Sequence, residues 1–141
     1  MSPKEYLSQL QELDNRITED YAAYEALRKK ALGISSFDYS KTPLSSRGSS
    51  PGASFEKAVS ALMDASKKLN AEIDEFVNLK EKTITEIRHL ENPTYVAILY
   101  KRYVEYKSLD AIAKETNYSY SYVRHLHGWA LQEFGRQVDT Q

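Results

Sequence analysis

The sequence predicts an all-α protein: a long antiparallel helical hairpin of coiled-coil character, followed by a three-helix domain that holds a helix-turn-helix. Three observations predict it. Apolar residues recur at steps of three and four through two long stretches, the spacing of one helix face. A stretch rich in serine, glycine and proline separates them. The last third carries the residue types of a helix-turn-helix in the right order. Counted from Leu109, the fourth, fifteenth and eighteenth positions are Ile112, Val123 and Leu126, which pack the two helices together. The fifth is Ala113, small enough for close approach, and the ninth is Asn117, which tolerates a left-handed turn.

The first helix is expected over residues 1–32. Ser2 precedes Pro3, which suits a first helical position, and Gly33 is a natural stop. Its apolar face runs Tyr6, Leu10, Leu13, Ile17, Tyr21, Tyr24, Leu27 and Ala31. Residues 33–53 follow, with seven serines, three glycines, two prolines and three charges. Such a segment buries too little apolar area to offset its ordering entropy and reads as a flexible connector. Phe37, Tyr39 and Leu44 are its candidates for local docking. A connector of this length lets the flanking helices fold back on each other.

The second long helix is expected over 54–91, with a soft start at Ser54. Val59, Leu62, Ser66, Leu69, Ile73, Phe76, Lys80, Thr83, Ile87 and Leu90 form a heptad seam, interrupted by Ser66, Lys80 and Thr83. The seam closes within one chain or between two, and a homodimer through the long helices is the expected assembly.

Residues 92–141 form the last domain. Asn92 caps and Pro93 opens a helix to about Val104, with Val96, Leu99, Tyr100 and Tyr103 inward. Ser108 caps Leu109 to about Glu115, and Thr116, Asn117 and Tyr118 make the turn. Ser119 caps the final helix, Tyr120 to about Gln137. There Val123, Leu126, Ala130 and Phe134 face the core, with Trp129 at its edge.

The exposed side of that helix is where chemistry is expected. A second helix so placed can enter a DNA major groove. Tyr120, Ser121, Arg124, His125 and Gly128 remain outward on its first turns. Arg124 can donate two hydrogen bonds to a guanine edge, and His125 and Ser121 can make one each. Tyr120 can reach a base or phosphate, and Gly128 lets backbone approach. Ser119 and the helix start suit a phosphate oxygen. Lys101, Arg102, Lys107 and Lys114 flank this face as candidate phosphate contacts. Tyr118, Tyr120 and Tyr122 read as core and rim packing rather than a base-stacking platform.

Bulk properties exclude several classes. The chain has no cysteine, so disulfides and cysteine-based metal sites are excluded. No apolar run reaches the roughly 20 residues of a membrane span. The polar start at Met1–Glu5 does not read as a secretion signal. His125 and His127 point apart on a helix and cannot share a metal. With no Gly-rich phosphate loop, paired carboxylates or Ser/His/Asp grouping, the chain does not read as an enzyme, and no cofactor is implied. Net charge is −1, and residues 91–141 hold six basic and six acidic side chains. Affinity for DNA comes largely from cations on phosphates. A neutral module needs a second half-site or a protein partner.

The segments Leu99–Val104, Ser108–Ala113 and Tyr118–Leu131 resemble region 4 of sigma-70-type factors. The whole chain is similar to the small phage and prophage late-transcription regulators of the RinA/ArpU type, which join an N-terminal helical part to a sigma-like helix-turn-helix. The specific part of the resemblance is residues 94–134. It implies a transcription regulator, an activator of late genes, with duplex DNA and RNA polymerase as partners and the cytoplasm of a bacterial host cell as its location. By the same resemblance the base-reading positions fall on Tyr120, Ser121, Arg124 and His125. Of these only Arg124 is the family's usual type; Tyr120 replaces an Arg, Ser121 a Glu, and His127 an acidic residue. The target sequence is therefore expected to differ from that of a housekeeping promoter. No counterpart of the sigma segment that melts promoter DNA is read here, so a full sigma factor is not implied. Two alternatives stay open: a protein-interaction module acting on polymerase or a host factor without DNA, and a small terminase-like DNA-packaging accessory.

Overall fold

The computed structural model describes residues 1–33 and 51–139, with side chains from residue 54 in the second stretch. Most of the connector, with Phe37, Tyr39 and Leu44, lies outside the described residues. The described residues are all-helical, without a strand: α1 (Pro3–Leu32), α2 (Pro51–Arg88), α3 (Pro93–Leu99) continued by a π-helical turn (Tyr100–Val104), α4 (Leu109–Thr116) and α5 (Tyr120–Asp139).

Each boundary has a local cause. At the start of α1, Ser2 and Glu5 form a reciprocal capping box. The Glu5 N–H donates to Ser2 Oγ at 3.2 Å and the Ser2 N–H to Glu5 Oε2 at 3.0 Å. Gly33 ends α1 at φ +67°, its N–H donating to the Lys30 carbonyl. Helix α2 starts at Pro51, three residues before the expected Ser54. Proline fits a first helical turn because the N–H it lacks has no partner there. Asn92 caps α3, accepting from the Thr94 N–H at 2.9 Å, with Pro93 beside it.

The expected continuous helix to Val104 instead widens after Leu99. The Glu105 N–H reaches the Tyr100 carbonyl five residues back, at 3.1 Å. Tyr103 and Val104 of the wider turn join Leu99 in one core cluster, while Ile98 enters another. Tyr106 then reverses the chain at φ 59°, an uncommon conformation for a bulky residue. Burial first, and then a hydrogen bond to Asp14, raise its phenol pKa.

The chain divides into two compact units, Met1–Asp14 with Glu75–Gln141, and Asn15–Asp74. In the first, Leu7 and Leu10 of α1, Ile87, Leu90, Leu99, Tyr103, Val104, Ala130 and Phe134 make one buried cluster. Tyr6 lies against Phe134, with ring centroids 5.9 Å apart, and its hydroxyl donates to Glu86 Oε1 at 2.7 Å. Burial and that carboxylate push the Tyr6 phenol up to about 12. Gln137 closes the same corner by donating to the Glu86 carbonyl at 2.6 Å. A second cluster joins Ile98, Ile112, Ala113, Val123 and Leu126.

In the other unit, Glu72 is 8% exposed and neither of its carboxylate oxygens meets a donor among the described residues. It faces Asp20, which lies 3.7 Å from Lys68. The interaction with the Asp20 carboxyl, then burial, raise the Glu72 pKa. The heptad reading puts Ile73 inward at this level, but Ile73 is 40% exposed and Glu72 is the covered residue. Similarly, Leu7 is buried where the α1 pattern named Tyr6, and Tyr21 is 53% exposed. Step counting finds a helix face to within about one residue, and the neighbour then decides which flank is covered.

Candidate nucleic-acid interface

Two helices joined by three residues build the site. Ser108 caps α4, accepting from the Ala111 N–H at 3.1 Å. Asn117 ends α4 in the left-handed region, φ 61° and ψ 25°, and sends its N–H back to the Ala113 carbonyl. Ser119 caps α5, accepting from the Tyr122 N–H at 3.1 Å. Ile112, Ala113, Val123 and Leu126, the four packing positions read from the sequence, lie in one buried cluster. With Ala130 and Phe134 also buried, the inward face of α5 is fixed and so is the outward one.

That outward face carries Tyr120, Ser121, Arg124, His125 and Gly128 together. Ser121, Arg124 and His125 line a shallow depression of about 320 Å³. The Arg124 guanidinium sits 5.9 Å from the centre of the Tyr120 ring and meets no carboxylate among the described residues. Nothing lies within 4 Å of the point where Gly128 would carry a Cβ, so the middle of the face is open. His125 Nδ1 is 2.7 Å from the Ser121 carbonyl, and its ring is 5.8 Å from that of Trp129. The Ser119 oxygen is engaged as a cap, leaving its hydroxyl proton as what it can offer an anion.

The flanking cations are less available than the sequence suggested. Lys101 and Lys107 both donate to Glu115, to Oε1 and Oε2 respectively, the second at 2.6 Å. Lys107 also lies 3.6 Å from Glu105. The two ammonium groups, Lys101 first, hold the Glu115 carboxyl at about 2, and Glu115 in turn raises the Lys107 pKa. Arg102 Nη1 donates to the Lys107 carbonyl at 3.0 Å, which ties it to the bend before α4. Lys114 is paired with Asp110 one turn back, at 3.1 Å on an open surface. Sequence spacing shows the Asp110–Lys114 pair. It gives no sign of Glu115 gathering two lysines 14 and 8 positions away.

Aromatic placement also departs from the sequence reading. Tyr118 and Tyr122 are 41% and 44% exposed, where core and rim packing was expected, Trp129 is 46% exposed rather than at the core edge, and Tyr120 is outward as its place on the reading face required. Val123 and Leu126 already fill the space against α4, which leaves these rings outside it. Tyr118 and Tyr122 meet edge to face at 5.1 Å. His127 turns the other way from His125. Its Nε2 shares a hydrogen bond of 2.8 Å with the Tyr103 hydroxyl, and burial first, then Arg102 and Lys4, lower its pKa to about 4.

Chemically, this face offers one unpaired planar cation, one oriented imidazole, several exposed rings and an open centre. Such groups can donate to, accept from and stack against a bound ligand. Among the described residues no group of three metal-ligating side chains gathers, and no helix is long and apolar enough to cross a membrane. Among known proteins, no family model, no curated relative and no solved structure matches this chain, so a functional reading rests on its own residues.

Proposed function

We propose that α4 and α5 form a helix-turn-helix of the sigma region 4 kind that binds duplex DNA, in a transcription regulator of the phage type. The long helices α1 and α2 would form the hairpin that dimerises or contacts RNA polymerase. The single observation that carries the reading is the outward face of α5. Arg124, free of any carboxylate among the described residues, stands there beside Ser121, His125 and the open Gly128. The left-handed Asn117 and the four buried packing positions support the same geometry.

The test is selection from a random duplex pool at about 50 mM salt, where phosphate contacts are weakly screened. Wild type should enrich a motif. Arg124→Ala should bind that motif more weakly by about 1–3 kcal/mol, the worth of a bidentate base contact. If the variant binds the selected site as tightly as wild type, the reading face is wrongly assigned.

A second reading, a module acting on polymerase or a host factor without DNA, draws on one observation. Lys101 and Lys107 are held by Glu115, so few cations remain for phosphates. It predicts no enriched motif and co-purification with polymerase.

A further inference from the structure

His125 carries information about what kind of atom it can read. Its Nδ1 lies 2.7 Å from the Ser121 carbonyl oxygen, one turn back on α5. A carbonyl oxygen only accepts hydrogen bonds, so the ring proton resides on Nδ1. In the neutral imidazole the other nitrogen is then a bare lone pair. Nε2 has no partner among the described residues, and the ring lines the depression shared with Arg124 and Ser121. The Trp129 ring lies 5.8 Å away on the same face. The two neighbours are therefore opposites: Arg124 presents only donors, and His125 presents only an acceptor.

Major-groove edges divide along the same line. Guanine N7 and O6, adenine N7 and thymine O4 accept, whereas adenine N6 and cytosine N4 carry amino groups that donate. An acceptor on the protein facing an acceptor on the base leaves two lone pairs opposed, with no proton between them. We propose that His125 is a specificity-determining residue that accepts, through Nε2, a hydrogen bond from the exocyclic amino group of an adenine or cytosine. Arg124 meanwhile takes a purine acceptor edge. The inference rests on the DNA-binding reading above and deepens it.

The experiment uses the full chain at about pH 8. The duplex selected by wild type is first compared with His125→Phe, which keeps a ring beside Trp129 and removes the acceptor. This locates the base pair that depends on residue 125. At that pair, adenine is replaced by 2′-deoxynebularine, which lacks the amino group, or cytosine by the 2-pyrimidinone nucleoside, which lacks its own. Whichever replacement matters names the base. Wild-type affinity should fall about 2- to 13-fold on loss of the amino group, the worth of a single hydrogen bond. His125→Phe should show no further loss with the same duplex. A 7-deaza purine, which removes an acceptor and keeps the amino group, should leave the His125-dependent part of binding unchanged.

Equal wild-type affinity for the amino-free duplex overturns the inference. So does a loss equally large in His125→Phe, or a His125-dependent loss with the 7-deaza base. If wild type selects no duplex at all, the DNA-binding reading fails and this one falls with it. That outcome is distinct from a selected site whose amino groups do not matter. Because the base analogues act on the unaltered protein, the result does not hinge on how a variant folds.

Discussion

His125 and His127 sit two positions apart on α5 and have opposite surroundings, since α5 turns one outward and the other toward Tyr103. The buried side of that turn has a thermodynamic consequence. His127 is held neutral by partial burial and by the positive charges of Arg102 and Lys4, with a folded-state value of about 4. That lies below the ordinary value for an unfolded chain, so the unfolded state binds the proton more readily. The stability tied to the neutral ring is fully present above about pH 6.5 and drains away as pH falls through the folded value. With the ring only half buried, solvent screening leaves roughly 1–2 kcal/mol of this effect. Thermal unfolding followed by circular dichroism at neutral and acid pH should show the loss, and His127→Gln should flatten it. An equal acid sensitivity in that variant would assign the effect to the carboxylates instead. The sequence showed that the two histidines point apart, because helical spacing dictates that. It could not show that Tyr103, 24 positions earlier, would be waiting for one of them.

Elements that announce themselves through caps were legible: Ser2 with Pro3, Gly33, Asn92 with Pro93, Ser108 and Asn117 all act where their chemistry says they should. Features set by tertiary company were not. The π-helical turn at Tyr100–Val104 and the exposure of Trp129 depend on what packs alongside, and no local signal encodes that. The two glycines of α5 give this distinction an experimental form. A Cβ on Gly128 meets nothing, while a Cβ on Gly135 would come within 2.9 Å of Pro3 Cγ. Glycine inside a helix costs roughly 0.5–1 kcal/mol against alanine. Gly128→Ala should therefore raise stability by about that amount. It also puts a methyl group in the middle of the proposed reading face, so affinity for the selected duplex should drop. Gly135→Ala should lack the stability gain, because the clash offsets it. Denaturant titration and duplex binding on the same two variants check both halves. A Gly128→Ala protein that is more stable and binds DNA undiminished would move the interface off this face.

At the scale of the whole chain, the net charge of −1 disfavours tight binding to a polyanion, and the structure shows where some of the positive charge is spent. Glu115 engages two lysines at once and is itself fully ionised at neutral pH. Under the DNA-binding reading, Glu115→Gln releases Lys101 and Lys107 to phosphates. Affinity should rise at low salt. The slope of log affinity against log salt should steepen by about 1–2, close to one unit per cation recruited. Fluorescence anisotropy across a salt series reads both quantities. An unchanged slope means those lysines point away from the duplex. Charge totals by segment lead to the expectation of a weak isolated module, and composition alone goes no further, because pairing is a matter of space rather than count.

One feature of the outward face bears on how such titrations are done. The chain has a single tryptophan, and it lies on that face, 46% exposed and against the imidazole of His125. Its emission therefore comes from one place only, unmixed with a buried indole elsewhere. In the free protein the spectrum should be that of a half-solvated ring, and docking of a duplex would change its solvation and bring bases close enough to quench it. The molecule thus carries a built-in optical reporter at the surface in question. Occupancy could be followed on unlabelled protein, while a ligand that settled away from this face would leave the signal unchanged.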